Sequence, residues 1–198
     1  MDFGGKMNFK KGDNMATDVA DVCEVNRDGG RAGRLEVVQQ AVRSSLEVTV
    51  SQAVSHDDML MSLTNRLDKF FSIHKSSYSM FLSDRKLMRV PVVCDQNDIK
   101  LGVIIGVDAD KSLMHNVLEA GLVFVSDFPD HAVSNPVERK VLLNPDTKSL
   151  AIIPMIHENN LMGTLNFASA ASSAFSLFDL KLFDNFFKVV SSHFHRLT

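Results

Sequence analysis

Apolar positions recur with a helical period early in the chain and alternate after residue 72. From Arg34, the residues Leu35, Val38, Val42, Leu46, Val50 and Ala53 recur at three- and four-residue steps, which places them on one helix face. Ser45 and Thr49 interrupt a strict heptad, so this helix either pairs with its copy in a dimer or packs on its own domain. A second helix is predicted from Ser55, which can cap, with Asp57 and Asp58 in the first turn, where carboxylates suit the helix dipole. Its apolar face carries Leu60, Leu63, Leu67 and Phe70 or Phe71, and it ends near Ser72. Tyr78, Met80 and Leu82 then alternate with Ser77, Ser79 and Phe81, a strand pattern. A turn at Ser83–Lys86 leads to a second strand over Leu87–Val93, in which Pro91 marks an edge or a bulge. After a polar break over Asp95–Asp98, Leu101–Val107 is a short apolar, β-branched run.

The second half repeats this grammar. Lys111–Ala120 reads as a helix stopped by Gly121, and Leu122–Val125 as a short strand. Ser126–Asp146 is a long polar connection broken by Pro129, Pro136 and Pro145, the kind of loop that often carries function. Leu150–Ile156 and Leu161–Ala168 form a hairpin across the turn His157–Asn160. Ser176 opens a last helix running to about Arg196, with Phe178, Leu182, Phe186 and Val189 on one stripe and Phe183, Phe187 and Val190 beside it. Helices that begin and end the domain can cover one face of a mostly antiparallel sheet while the middle segment covers the other. That is an α/β arrangement of α+β sandwich type.

Residues 1–33 break this order. Gly4, Gly5, Gly12, Gly29, Gly30 and Gly33 punctuate them, and a flexible tail or linker is expected, with a short helix over Ala16–Val25. The domain is then residues 34–198. With 198 residues, 45% of them hydrophobic and 23% charged, one globular domain is expected. A net charge of −3 provides no basic field for nucleic acid or anionic lipid, and no apolar run is long enough to span a bilayer. The polar N-terminus has no signal-peptide core, so a cytoplasmic protein is expected. Cys23 and Cys94 lie far apart with no zinc spacing.

The segment Ser149–Phe167 (SLAIIPMIHENNLMGTLNF) resembles the late hairpin of GAF domains: a small residue, an apolar run, Pro, a short turn, then Gly and alternating apolar residues. Phe175–Phe194 is similar to the last helix of that family, and Leu46–Phe71 with the Ser77–Leu82 strand to its opening helices and first strand. Gly121–Asp127 resembles the segment entering its ligand loop. The likeness spans about residues 44 to 196. It implies a cytoplasmic sensory or regulatory domain that binds a small molecule between the sheet and the loops. Such a domain pairs through its terminal helices as a homodimer and signals to an output domain or partner. A ligand-free dimerisation or docking module of a signalling protein is the alternative. Neither nucleic acid nor membrane is an expected partner.

The residues discriminate among the family's chemistries. The Asn-Lys-Phe-Asp-Glu signature of cyclic-nucleotide-binding members is missing, and Cys94 is followed by Asp95 rather than by the His common in bilin-binding members. Members that reduce free methionine sulfoxide use several cysteines around the pocket, and only Cys94 falls inside this domain. For haem or iron, the seven histidines form no cluster, and His193 and His195 on one helix point about 200° apart. His131, near Asp127, Asp130 and Glu138, is the best single metal candidate, against the plainer reading of a solvated loop. Arg139 and Lys140 could pair with an anion, or be an exposed basic pair. Ser79, Phe81, Ile153, Met155, Thr164 and Asn166 share the parity expected of the pocket face, unless a bulge reverses the phase. With Phe124, Asp127, His131 and Arg139 they form the expected ligand site. With no GxSxG, Walker, HExxH or GxGxxG motif, no catalytic residues, no metal ligands and no named cofactor are expected, and the chain reads as a non-enzyme.

Overall fold

The computed structural model describes residues 31–95, 98–175 and 184–197. The expected short helix over Ala16–Val25 and helix start at Ser176 lie outside the described residues, as does nearly all of the expected tail. Two compact units divide at Val42 and Arg43, and helix α1 (Arg31–Gln52) runs from the first into the second. The sheet and its covering helices belong to the second.

Six strands form one sheet: β1 (Ile73–Leu82), β2 (Leu87–Asp95), β3 (Asp98–Asp108), β4 (Phe124–Ser126), β5 (Ser149–His157) and β6 (Asn160–Ser169). Their order is β3-β2-β1-β6-β5-β4, and every neighbouring pair is antiparallel. Helices α2 (His56–Phe71) and α6 (Asp184–Leu197) lie against one face. Helices α3 (Leu113–Ala120), α4 (Pro129–Ala132) and α5 (Pro136–Leu142) cover the other. This is the α+β sandwich that the hydrophobic pattern implies.

Local chemistry sets the ends of the helices. Ser55 caps α2 by accepting from the Asp58 N–H at 3.1 Å, and Leu60, Leu63 and Leu67 bury its apolar face. Ser112 caps α3 in the same way through the His115 N–H. Gly121 closes that helix at φ 63°, where a residue without a Cβ pays no steric penalty. The long connection expected over Ser126–Asp146 is not structureless. Pro129 and Pro136 open α4 and α5, because proline at the first helical position loses no hydrogen bond and presets φ.

Strand β1 begins at Ile73, five residues before its apolar alternation. It is a central strand covered on both sides, and its buried positions Lys75, Ser76, Ser77 and Ser79 are polar, which hides the strand from a hydrophobic reading. Pro91 sits in a bulge of β2, which is also central: the register shifts opposite it on both β1 and β3. Across that bulge the residues facing α3 change from Met88 and Val90 to Val93 and Asp95.

Candidate functional site

In antiparallel pairs, residues directly opposite each other point to the same face. Ser79 lies opposite Thr164 and Ser77 opposite Asn166, so all four side chains point to the α3 face at the centre of the sheet. All four are buried, with Asn166 at 1% exposure. Around them stand Leu150, Ile152, Ala168, Met114, Val117 and Leu118, all apolar. The four form a directional chain. The Ser79 hydroxyl donates to Thr164 Oγ1 at 2.8 Å, and the Thr164 hydroxyl donates to Asn166 Oδ1 at 2.9 Å. The Asn166 amide donates to Ser77 Oγ at 3.1 Å and points to Met114 Sδ of α3 at 3.6 Å. Ser79 Oγ also accepts the Thr164 N–H. The row is neutral, and among the described residues no buried polar side-chain atom lacks a partner.

Two buried ions hold the layer above the row. Glu138 of α5, 1% exposed, accepts from Ser112 Oγ at 2.9 Å and from the Leu113 and Met114 N–H groups at 2.9 and 2.7 Å. It therefore fills the N-terminus of α3, where the helix dipole favours an anion. Lys75 of β1 donates to the carbonyls of Lys140 and Leu143, both at 2.9 Å, and to Asn144 Oδ1 at 3.0 Å, closing the opposite end of α5. Asn144 in turn donates to Asp95. Beside it, His74 Nε2 lies 3.0 Å from Thr147 Oγ1, and burial, the largest influence, pulls the imidazole below its usual pKa.

On the other face, α6 is tied to the chain before α2. His193 Nε2 donates to the Ala53 carbonyl at 3.0 Å, and His56 Nε2 donates to the Phe194 carbonyl at 3.1 Å. Because Nε2 of His193 carries the proton, its Nδ1 is free to accept from Arg196 at 2.6 Å. An open cavity of about 460 Å³ lies near this corner, lined by Thr49, Gln52, Ala53, Asp58, Ser62, Asn65 and Arg66.

The expected site residues separate into three groups. Ser79, Thr164 and Asn166 come together in the row. Phe81 shares their face, its ring 4.9 Å from that of His115, and Phe124 packs into the same layer opposite Ile152. Asp127 and His131 are exposed, and Asp127 accepts from Ser173. Arg139 points to its own chain instead of the row. It donates to Asp130 Oδ1 at 2.5 Å and to the Asp130 and Val133 carbonyls, joining α4 to α5.

Ile153 and Met155 lie on the opposite face, a correction with a definite cause. The β5–β6 turn has two residues, Glu158 and Asn159, both at positive φ, as a hairpin turn matched to strand twist requires. Read straight through from that turn, Ile153 would face Thr164. A bulge between Met155 and Ile156 moves every later pair by one, so Pro154 faces Thr164, and Ile153 joins Leu165 under α6. Ser77, Met114, Glu138 and Lys75 were not expected at the site. Ser77 was within reach, two residues from Ser79 on the same parity.

No family model matches the chain, and no curated protein matches it. Solved structures do. The GAF domain of an Acinetobacter phosphoenolpyruvate-protein phosphotransferase superposes with a TM-score of 0.60 at 12% identity, over 80% of this chain and 93% of that one. The GAF domain of a two-component sensor histidine kinase from Bacillus halodurans gives 0.58 at 17% identity, over 73% and 97%. The fold is that of a GAF domain. Free methionine-R-sulfoxide reductase from Neisseria meningitidis, in complex with its substrate, also superposes, with a TM-score of 0.60 at 12% identity over 81% and 90%. That similarity overturns the expectation of a non-enzyme, because the GAF fold includes an enzyme and does not exclude catalysis. In this GAF fold Cys94 is buried opposite Ser76, whose hydroxyl meets Thr64 of α2, so the thiol is on the face away from the polar row. Among the described residues no helix is long and apolar enough to cross a membrane.

Proposed function

We propose that this chain is a sensory or regulatory domain that takes a small, uncharged, hydrogen-bonding ligand between the sheet and the α3–α5 layer. The polar row carries the reading. Four hydrogen-bonding side chains at the centre of an apolar face are costly to bury, and apolar residues of similar size would fill the space without that cost. The row is neutral, and Arg139 is engaged by Asp130, so an uncharged ligand fits better than an anion. A ligand would replace Met114 above Asn166 and take over bonds that the row makes to itself. The change would pass to α1–α2 and α6, which His56 and His193 hold together, and from there to a second copy or an output domain. The GAF domain of a sensor histidine kinase among the similar structures is consistent with such an arrangement.

A thermal-shift screen of neutral polar metabolites tests the reading, with Asn166→Leu as the comparison. A ligand at 100 times its Kd adds about 2.7 kcal/mol, a rise of several degrees. The expected outcome is a rise in the native chain that Asn166→Leu abolishes. A rise that survives in the folded variant places the ligand elsewhere and sinks the proposal.

A second reading rests on the completeness of the same bonds. The row is saturated within the chain and its face is filled by α3, as suits a docking module that needs no ligand. Oligomeric state and partner binding that stay intact in Asn166→Leu would favour this reading.

A further inference from the structure

We infer that α5 is a latched helix that opens away from both α3 and β1 over the polar row, and that Glu138 and Lys75 are the two halves of the latch. Helix α5 has seven residues and is gripped at both ends by a buried ion. Near its start, its own Glu138 reaches out to the N-terminus of α3. At its finish, Lys75 reaches in from β1 to the last carbonyls. The two grips have opposite charge and each matches the helix end that it meets. Between them, α5 buries Val141 and Leu142.

The kind of interaction makes this a latch and not ordinary core packing. Apolar contacts lose their whole contribution on exposure to water. An ion that leaves a saturated protein site regains hydration, so the net difference between closed and open is small. The geometry of the closed state is nonetheless strict, because Glu138 must meet three donors and Lys75 three acceptors at once. A layer held in this way opens at lower cost than the sheet beneath it, yet closes in one position. Opening would uncover the face that holds Ser77, Ser79, Thr164 and Asn166. The assignment of that row as the ligand site rests on the proposed function, whereas the latch does not depend on it.

Native-state hydrogen exchange in low denaturant tests the latch without any ligand. In the native chain, the amides of residues 113–114 and 137–142 are expected to exchange through a common opening at least tenfold more frequent than that of β1 and β6. Exchange of those amides only with global unfolding would overturn the proposal. Glu138→Gln and the milder Ser112→Ala are expected to raise exchange there tenfold or more while β1 and β6 stay as in the native chain. Should a variant raise exchange equally everywhere, Glu138 is a core residue and the latch is wrong. A ligand screen that finds nothing, beside a positive exchange result, would sink the ligand site and leave the latch standing.

Discussion

The hydroxyl of Ser79 meets that of Thr164 at 2.8 Å across the seam between β1 and β6, and both side chains are fully buried. The contact joins the first of the described strands to the last, and so ties together the two halves of the sheet. Thr164→Val keeps the shape and removes the hydroxyl. Ser79 then loses an acceptor and Asn166 Oδ1 a donor, in a place water does not reach. The expected loss is about 1–3 kcal/mol in denaturant unfolding. In a double-mutant cycle with Ser79→Ala, the pair should cost less than the sum of the two singles, because Ser79→Ala removes a group that Thr164→Val leaves unpaired. Additive losses would show that the row is not coupled.

The residue just before Thr164 demands even more of this seam. A Cβ built on Gly163 would lie 1.8 Å from the Ser79 carbonyl oxygen and 2.7 Å from its carbon. These are backbone atoms of a neighbouring strand and cannot swing aside. Gly163→Ala is expected to cost about 3 kcal/mol or more, or to abolish folding. Gly106→Ala is the control, since its Cβ would meet only Leu87 Cδ1 at an ordinary 4.0 Å. It should change stability by less than about 1 kcal/mol. Equal losses in the two variants would show that β1 and β6 are not as close as described.

These two strands also show how much was legible in the sequence. Helix α2, both strands of the late hairpin and the stop at Gly121 follow from local rules, because each depends on residues within a few positions of one another. The phase of β5 does not. It turns on a bulge between Met155 and Ile156 that no residue type announces, and that single shift moved Ile153 and Met155 out of the site. The start of β1 is hidden because, after Ile73, its buried positions are Lys75, Ser76 and Ser77, which hydropathy reads as surface. Lys75 is missed for the same reason, and Glu138, which the sequence offers only as a loop neighbour of His131, is instead buried at the start of α3. A buried ion is recognised by its partners, and those lie 24 to 69 residues away.

The two histidines at the α6 corner predict a cooperative attachment. His56→Ala and His193→Ala each remove one donor to a helix-end carbonyl, at about 1 kcal/mol apiece. His56 also loses its ring contact with Phe194 at 4.1 Å. Hydrogen exchange of residues 186–197 should rise in either variant while β2 and β3 stay protected. If the losses appear first in β2 and β3, α6 is not held by this pair.

Tyr78 supplies a pH-dependent test that can be read directly. Burial is the main cause that pushes its hydroxyl up to about 12, and the neighbouring Asp57 carboxylate adds to the effect. The sign follows from proton counts. Between about pH 10, where the unfolded chain's tyrosine ionises, and about pH 12, the folded chain holds more protons than the unfolded one. Stability is therefore fully present below pH 10 and falls as pH rises through that window. Tyr78 is the chain's one tyrosine, and there is no tryptophan, so tyrosinate absorbance near 295 nm reports this side chain without overlap. A titration of the folded protein should have its midpoint near 12, and the same titration in denaturant near 10. Tyr78→Phe should flatten the alkaline fall in Tm between those limits. A folded-state midpoint near 10, with Tm falling equally in both proteins, would mean that Tyr78 is hydrated and that the contact of its ring with Phe194 and His56 does not seal this corner of the core.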